Sequence, residues 1–241
     1  MEEYKKIIII LAFTLLLIFP LNIIVYGNSA EPPSILIIVP NAPDDLSITL
    51  DLEEKYEEKV VNKIIEKYYT FYLSAMFNKP NIYNFTVSTE NDSFEIELSK
   101  PIRRYENIYT LDLKAQTLTE GKLLSRSIML VSMRLALTLL IEAFIFWIFG
   151  FRNRESWLVF FIINLITQGA LNIWLNGLGP IMSYAIFFTL VFGEIFVFVF
   201  ELIVFSLFCK EHGSIRKATY VLSANCASLI VGGYIITVLP V

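Results

Sequence analysis

Four long apolar stretches fill the second half of this 241-residue chain and constrain its fold more than any other feature. They cover about residues 127–151, 156–176, 180–208 and 217–239. A helix rises about 1.5 Å per residue, so roughly 20 apolar residues are enough to cross a hydrocarbon layer about 30 Å thick. Each stretch is long enough for this. The sequence therefore predicts a membrane α-helical bundle of four transmembrane helices over residues 127–241.

Composition agrees with a membrane protein, since 56% of the residues are hydrophobic and only 17% are charged. The net charge is −4, and the chain carries no basic patch or nucleic-acid-binding motif, so nucleic acid is not an expected partner. Membrane lipid is the expected partner. Four or five spans are also few for a complete transporter, so we expect a homo-oligomer or other membrane subunits.

Cysteine and histidine usage argues against several kinds of site. Cys209 and Cys226 are the two cysteines and His212 is the one histidine. The sequence therefore contains no CxxC metal motif, no HExxH motif and no histidine-based catalytic triad. An enzyme is the least favoured class, with no catalytic residues and no cofactor expected, although a bound cation stays possible.

The charges of the loops predict the orientation in a cell membrane. The loop 151–156 carries two arginines, the loop 209–217 carries one arginine and two lysines, and the loop 176–180 carries no charge. Because Lys and Arg favour cytoplasmic loops, we expect the two basic loops in the cytoplasm and residues 31–126 outside it. Labelling of an introduced cysteine at residue 90 but not at residue 154 from outside would test this.

Residues 1–30 have the pattern of a targeting segment. They begin Met-Glu-Glu-Tyr-Lys-Lys and continue with an apolar run over residues 7–26. A basic flank followed by an apolar run is typical of a signal peptide. The run is also long enough to stay as an uncleaved signal anchor, so both alternatives remain, and either one exports the segment that follows.

Residues 31–126 are predicted to form a small β-rich extracytoplasmic domain. Short apolar runs and alternation of apolar and polar residues predict strands. These are residues 34–39, 46–52, 82–88, 94–98 and 108–113. The number and spacing of the strands favour a β-sandwich or an immunoglobulin-like sheet domain.

The segment 57–76 within this domain is ambiguous. Apolar pairs recur every four residues, at positions 60–61, 64–65 and 68–69, which suits one face of a helix. The aromatic run at 68–73 suits a strand equally well. We predict a helix that gives way to a strand.

Polar side chains recur at one depth in the four apolar stretches. Glu142, Asn164, Glu201 and Asn225 each lie eight to ten residues from the nearest predicted cytoplasmic loop. This places them about 12–15 Å from that face. An ionisable group there costs about 2.5 kcal/mol or more, so it normally faces protein or water and often marks function. We expect the four side chains to converge on one polar cavity inside the bundle.

Helical spacing extends this set. Asn164, Gln168 and Asn172 follow one another in steps of four, which keeps them on one helix face. Glu194 and Glu201 are seven apart and also share a face. Gln168 and Glu194 are expected one to two turns further from the cytoplasmic loops than Glu201.

Two further residues complete the predicted intramembrane site. Ser228 lies one turn beyond Asn225 in the last stretch, and Arg134 is the only basic residue deep in the spans. We expect Arg134 to form an ion pair with Glu194, directly or through water, because a buried pair costs less than two lone charges.

A purely structural interpretation competes with a functional one. Amide and hydroxyl groups in transmembrane helices often only hold helices together, at about 0.6 kcal/mol per hydrogen bond, and this suits the asparagine face alone. Helix packing needs no carboxyl groups, whereas three glutamates could bind a cation or carry protons. The sequence therefore favours a transport or channel component or subunit. The alternative is a membrane-anchored envelope binding or signalling module that acts through the exported β domain.

Several strings around these polar residues carry a resemblance. They are Glu142 through Arg152, Asn164-Leu-Ile-Thr-Gln168, Glu194 through Glu201, Ala224-Asn225-Cys-Ala-Ser228 and, ahead of the spans, Tyr109-Thr-Leu-Asp-Leu113 with Leu118-Thr-Glu-Gly121. Together they resemble a family of bacterial polytopic membrane proteins with an exported N-terminal domain. The resemblance covers most of the chain from about residue 33 onward. It implies the same order of domains, and no activity, because none is known for the family.

Overall fold

The computed structural model describes residues 32–52, 56–73, 82–99, 106–179 and 184–240. The prediction of a signal peptide or signal anchor lies outside these residues. Along the described chain, eight strands precede four helices. All four helices are long and apolar enough to cross a membrane. The predicted order, a β-rich region followed by four candidate transmembrane helices, is confirmed.

The chain divides into two compact units. The unit that contains the strands lies within Val25–Ser127, together with Val238–Pro240. The helix unit lies within Ile128–Thr237.

The β unit contains two sheets. The strands are β1 (Ser34–Pro40), β2 (Ser47–Asp51), β3 (Glu57–Asn62), β4 (Glu66–Tyr72), β5 (Tyr83–Ser88), β6 (Ser93–Leu98), β7 (Glu106–Asp112) and β8 (Thr117–Glu120). One sheet has the order β3-β4-β1-β7-β8 and the other the order β2-β5-β6. β1 pairs antiparallel with β4 and parallel with β7. Every strand predicted from alternation is present.

Side chains from both sheets share one hydrophobic core. Ile35, Ile37 and Val39 of β1 enter it at alternating positions, as the two-residue period of a strand requires. The ring of Phe71 on β4 lies 5.4 Å from the ring of Phe85 on β5, so the core joins one sheet to the other. β1 is buried along almost its whole length, as expected of a central strand.

The helix predicted at the start of 57–76 is wrong, because β3 and β4 form a hairpin there. The recurring apolar pairs belong to that hairpin. Val60 lies opposite Tyr69 and Val61 lies opposite Tyr68, while residues 64–65 form the turn between the strands. Their four-residue spacing therefore reflects symmetry about a turn and not a helix face. Pairing of β4 with the buried β1 overrides the helical pattern, and the strand predicted at 68–73 is present.

The helices are α1 (Leu124–Ile148), α2 (Arg154–Asn176), α3 (Tyr184–Phe208) and α4 (Ser214–Val238). Their burial is inverted relative to a water-soluble protein. Large apolar side chains such as Leu140, Phe144 and Phe192 are more than half exposed, whereas Glu142 and Asn164 are fully buried. Apolar side chains are stable on the outside of a helix bundle when lipid is the solvent.

Hydrogen bonds that involve charged side chains connect the two loops at one end of the helix unit. The Glu211 carboxylate accepts hydrogen bonds from the backbone N–H of Arg152 at 2.6 Å and of Asn153 at 3.1 Å, just before α2 begins. Burial alone would raise the pKa of Glu211, but these N–H donors hold that pKa below its usual range. Lys217 donates to the carbonyl of Cys209 at 2.9 Å, next to the end of α3. We call the two loops at this end, residues 149–153 and 209–213, the loop end.

Candidate functional site in the helix unit

Glu201 on α3 is held by two other helices. Only 1% of Glu201 is exposed. Its Oε1 lies 2.9 Å from the Thr167 hydroxyl on α2, and its Oε2 accepts a hydrogen bond from Asn225 Nδ2 on α4 at 2.7 Å. Both oxygens of one buried carboxyl are therefore oriented, and α2, α3 and α4 meet at it.

Glu142 brings α1 to the same region. It is fully buried, and Gln168 Nε2 on α2 donates to its Oε1 at 3.3 Å. Gln168 also lies close to Glu194 on α3, so one amide group stands between two carboxyls. The Ser228 hydroxyl lies close to Glu142 but donates to the backbone carbonyl of Asn225 at 3.1 Å.

The three carboxyls are close enough to interact electrostatically with one another. Like charges in a medium of low dielectric repel strongly, so the group favours states in which some of its members hold a proton. We call Glu142, Glu194 and Glu201 the carboxyl cluster. Tyr220 on α4 is a further titratable group that faces it, and its hydroxyl lies close to Asn164.

Several hydrogen-bond acceptors of the site lack a donor. Glu142 Oε2, Glu194 Oε2 and Asn225 Oδ1 are buried and receive no hydrogen bond with standard geometry from the described residues. A buried acceptor left without a donor costs about 1–3 kcal/mol. A proton on a carboxyl, a water molecule or a cation would relieve that cost.

The predicted asparagine face is buried but only partly directed at the carboxyls. Asn164 Nδ2 donates to the carbonyl of Phe160 at 2.9 Å, and Asn172 Nδ2 donates to the carbonyl of Gln168 at 2.9 Å. Both amides therefore bond back to their own helix. Gln168 is the member of this face that reaches a carboxyl on another helix.

A small cavity adjoins the carboxyl cluster. Arg134 and Glu194 both line it, together with Thr138, Gln168, Leu171, Asn172, Leu175, Leu190, Ser228, Gly232 and Ile235. Its volume of about 20 Å³ suits one water molecule. Arg134 Nε donates to the carbonyl of Leu130 at 3.3 Å. The ion pair between Arg134 and Glu194 stays a prediction, and the structure places both residues on this cavity.

Aromatic rings pack between the carboxyl cluster and the loop end. The aromatic cluster consists of Phe146, Phe151, Phe160, Phe205 and Tyr220, all fully buried. The Phe146 ring is central, with centroids 4.2 Å from Phe151, 5.0 Å from Phe160, 5.8 Å from Phe205 and 4.9 Å from Tyr220. Each of the four helices or its flanking loop supplies at least one ring.

Sequence reasoning missed two groups of this site as contact residues. Thr167, which approaches Glu201, lies three residues after Asn164 and so shares its helix face, a signal that the spacing contains. Tyr220 gives no comparable signal, because a tyrosine among apolar residues is ordinary in a membrane span. The described residues bring together no group of three His, Cys, Asp or Glu side chains that could hold a metal ion.

No family model, curated protein or solved structure matches this chain.

The functional proposal therefore depends on the chemistry of the site itself. What distinguishes the site is a set of carboxyl groups buried in apolar helices, with amide and hydroxyl groups aimed at them.

Proposed function

We propose that this protein is a component or subunit of a membrane transport or channel system, and that its carboxyl cluster binds protons or a cation. The observation that carries the proposal is Glu201, which is 1% exposed and has each oxygen contacted by a different helix. A carboxyl group inside membrane helices is costly, and such groups are characteristic of proton and ion pathways.

The arrangement favours protons as the species that is handled. Glu201 Oε2 accepts from Asn225 whether the carboxyl is ionised or protonated, and a protonated Glu201 can donate from Oε1 to the Thr167 hydroxyl. The same contacts therefore serve both protonation states. Glu142, with one bonded and one unbonded oxygen, offers a second proton site nearby.

Helix packing alone accounts less well for the cluster. Gln168, Asn225 and Thr167 could bond to one another or to backbone carbonyls without any carboxyl group. Three buried glutamates add repulsion and desolvation that packing does not need. In the proposed orientation the loop end faces the cytoplasm and the β unit lies outside, as the positive-inside rule predicts.

Infrared spectroscopy of the purified protein in lipid tests this proposal. A protonated carboxyl has its own carbonyl band, and exposed carboxyls, with ordinary pKa values of about 4, have lost it at pH 7. The wild type is expected to show such a band at pH 7 and to lose it reversibly at alkaline pH. Glu201→Gln should fold, because the amide keeps the shape and most of the hydrogen bonds, and should lose the contribution of Glu201 to the band.

Glu155→Gln is the matched control, since Glu155 is an exposed residue in the first turn of α2. This variant should retain the wild-type band. A wild type with no carboxyl band at pH 7, or a band at pH 7 that is the same in Glu201→Gln, would contradict the proposal. The exported β domain would then be the better candidate for function.

A further inference from the structure

We infer that the carboxyl cluster exchanges protons with only one end of the helix unit, through the cavity lined by Arg134 and Glu194, while the aromatic cluster closes the loop end. This inference rests on the proposed function and adds the route of the proton to it. A subunit built in this way is loaded from one side and releases the proton to the other side only when the aromatic cluster opens.

The cavity lies on the side of the carboxyl cluster away from the loop end. Its lining comes from the middle of α1 at Arg134 and Thr138, the last part of α2 at Asn172, and the last half of α4 at Gly232. Exposure changes in the same direction. Arg134, Asn172 and Glu194 are 5%, 6% and 7% exposed, whereas Glu142, Gln168 and Glu201 are at most 1% exposed. Glu194 is therefore the most exposed carboxyl of the cluster and the one that lines the cavity.

The opposite side is mostly apolar between Tyr220 and the buried contact of Cys209 Sγ with Ser156 Oγ at 3.3 Å, next to the loop end. The five rings of the aromatic cluster are fully buried, and the Tyr220 hydroxyl is their single polar atom. Apolar constrictions of this kind exclude water and so block ions. The contacts of Glu211 and Lys217 with the neighbouring loops hold this end together.

The groups that face the cluster define the transfer. The titratable or charged side chains are Glu142 from α1, Glu194 and Glu201 from α3, Tyr220 from α4 and, on the cavity, Arg134. Helix α2 contributes the amide and hydroxyl groups of Asn164, Thr167 and Gln168. A proton leaves water in the cavity and binds the Glu194 carboxylate. It then moves to a deeper carboxylate, which becomes neutral as Glu194 regains its charge.

Proton flux into vesicles tests this route. The full-length protein is reconstituted in vesicles that contain a pH-sensitive dye, and a potassium gradient with valinomycin supplies the driving voltage. The wild type should conduct no more than empty vesicles. Phe146→Ala removes the central ring and should produce flux, whereas Phe192→Ala, which removes a half-exposed ring from α3, should not.

Second substitutions in the Phe146→Ala background show which path the protons take. Adding Glu201→Gln should abolish the flux. Adding Thr138→Leu should also abolish it, because Thr138 lines the cavity and a larger apolar side chain there takes space that water needs. Adding Thr189→Leu should not, since Thr189 on α3 is likewise half-buried and does not line the cavity.

A pH jump supplies a measurement that does not need Phe146→Ala to fold. Following the infrared carboxyl band after the jump, Thr138→Leu should slow protonation relative to the wild type, and Thr189→Leu should not. Equal rates in both threonine variants, wild-type flux as large as that of Phe146→Ala, or flux that survives Glu201→Gln would each overturn the inference. A wild type without a carboxyl band at pH 7 would instead overturn the proposed function itself.

Discussion

The buried ion pair of the β unit provides a test of the structure that is independent of the proposed function. Arg126 Nε lies 2.6 Å from Glu66 Oε1, and Arg126 Nη2 lies 2.8 Å from Glu66 Oε2, so the pair is bidentate. The Tyr68 hydroxyl donates to Glu66 Oε2 at 2.8 Å. Glu66 and Arg126 are 4% and 5% exposed. Arg126→Leu would leave the carboxylate of Glu66 buried without its cation.

The loss of unfolding free energy depends on which buried groups each variant leaves without a partner. Arg126→Leu should lower the free energy of unfolding of the β unit by about 3–5 kcal/mol, the cost of an uncompensated buried charge. Glu66→Leu together with Arg126→Leu removes both charges and leaves the Tyr68 hydroxyl without Glu66 and Arg126 as partners, which costs about 1–3 kcal/mol. Adding Tyr68→Phe removes that hydroxyl, so the triple variant should be the most stable of the three.

Hydrogen exchange of the β4 amides in the full-length protein measures this free energy, because β4 is a central strand of its sheet. Glu95→Leu, at an exposed position on β6, is the matched control and should leave the exchange rates almost unchanged. If the loss of unfolding free energy in the double variant equals the sum of the losses in Glu66→Leu and Arg126→Leu, the two residues do not interact, because independent residues behave additively.

Three further predictions concern other parts of the chain. Gly193→Ala should destabilise the helix unit, measured by thermal unfolding in detergent, because the new Cβ would lie 2.3 Å from Cδ1 of the buried Leu171. Repacking Leu171 costs about 1–3 kcal/mol against about 1 kcal/mol gained in helix propensity, so a variant more stable than the wild type would contradict this prediction. Burial, with the negative charge of Glu58, raises the pKa of Tyr69 to about 12 from its ordinary value of about 10. The folded state therefore disfavours tyrosinate, and stability that is complete below pH ~10 should fall as pH rises towards about 12, less steeply in Tyr69→Phe; identical alkaline profiles would contradict this. Glu211→Gln should destabilise the loop end at neutral pH, because the pKa of Glu211 is lowered and its carboxylate therefore stabilises the fold above the ordinary carboxyl pKa. The wild type loses this contribution as pH falls from the ordinary pKa through the lowered one, so the destabilisation caused by Glu211→Gln should shrink at acid pH. Equal acid sensitivity in wild type and variant would count against this prediction.

Local patterns in the sequence predicted the elements better than their partners. Alternation located the strands, and length and hydropathy located the helices. The hairpin of β3 and β4 was mistaken for a helix because pairs placed symmetrically about a turn can imitate a four-residue period. The ion pair between Glu66 and Arg126 joins residues 60 positions apart, and no local pattern contains it.

The candidate site was also predictable only in part. Depth along the spans selected Glu142, Asn164, Glu201 and Asn225, and all four are buried. The depth of a residue in its span does not predict how its helix is rotated about its own axis, because packing against neighbouring helices determines that rotation. For that reason Thr167, rather than Asn164, is the α2 residue that reaches Glu201.

Charged residues in or beside the loop end show that one signal can have two causes. Lys217 supports the predicted orientation as a basic residue beside a span, yet it is buried and donates to the carbonyl groups of Cys209 and Ser206. It would be needed at that position in either orientation. The arginines of the loop 151–156 are exposed, but Arg152 also donates to the carbonyl of Trp147 at 2.6 Å, so Arg154 carries the topological argument more directly.

The shared carboxyl site is tested most directly by the infrared titration of one glutamate when the other is replaced. If Glu142 and Glu201 interact in one buried cluster, the carboxyl band of Glu201 in Glu142→Gln will titrate at a different pH from its band in the wild type, and the reciprocal variant will show the reciprocal effect. If each band titrates in the single variant just as it does in the wild type, the two carboxyls are independent and the cluster is not a functional unit.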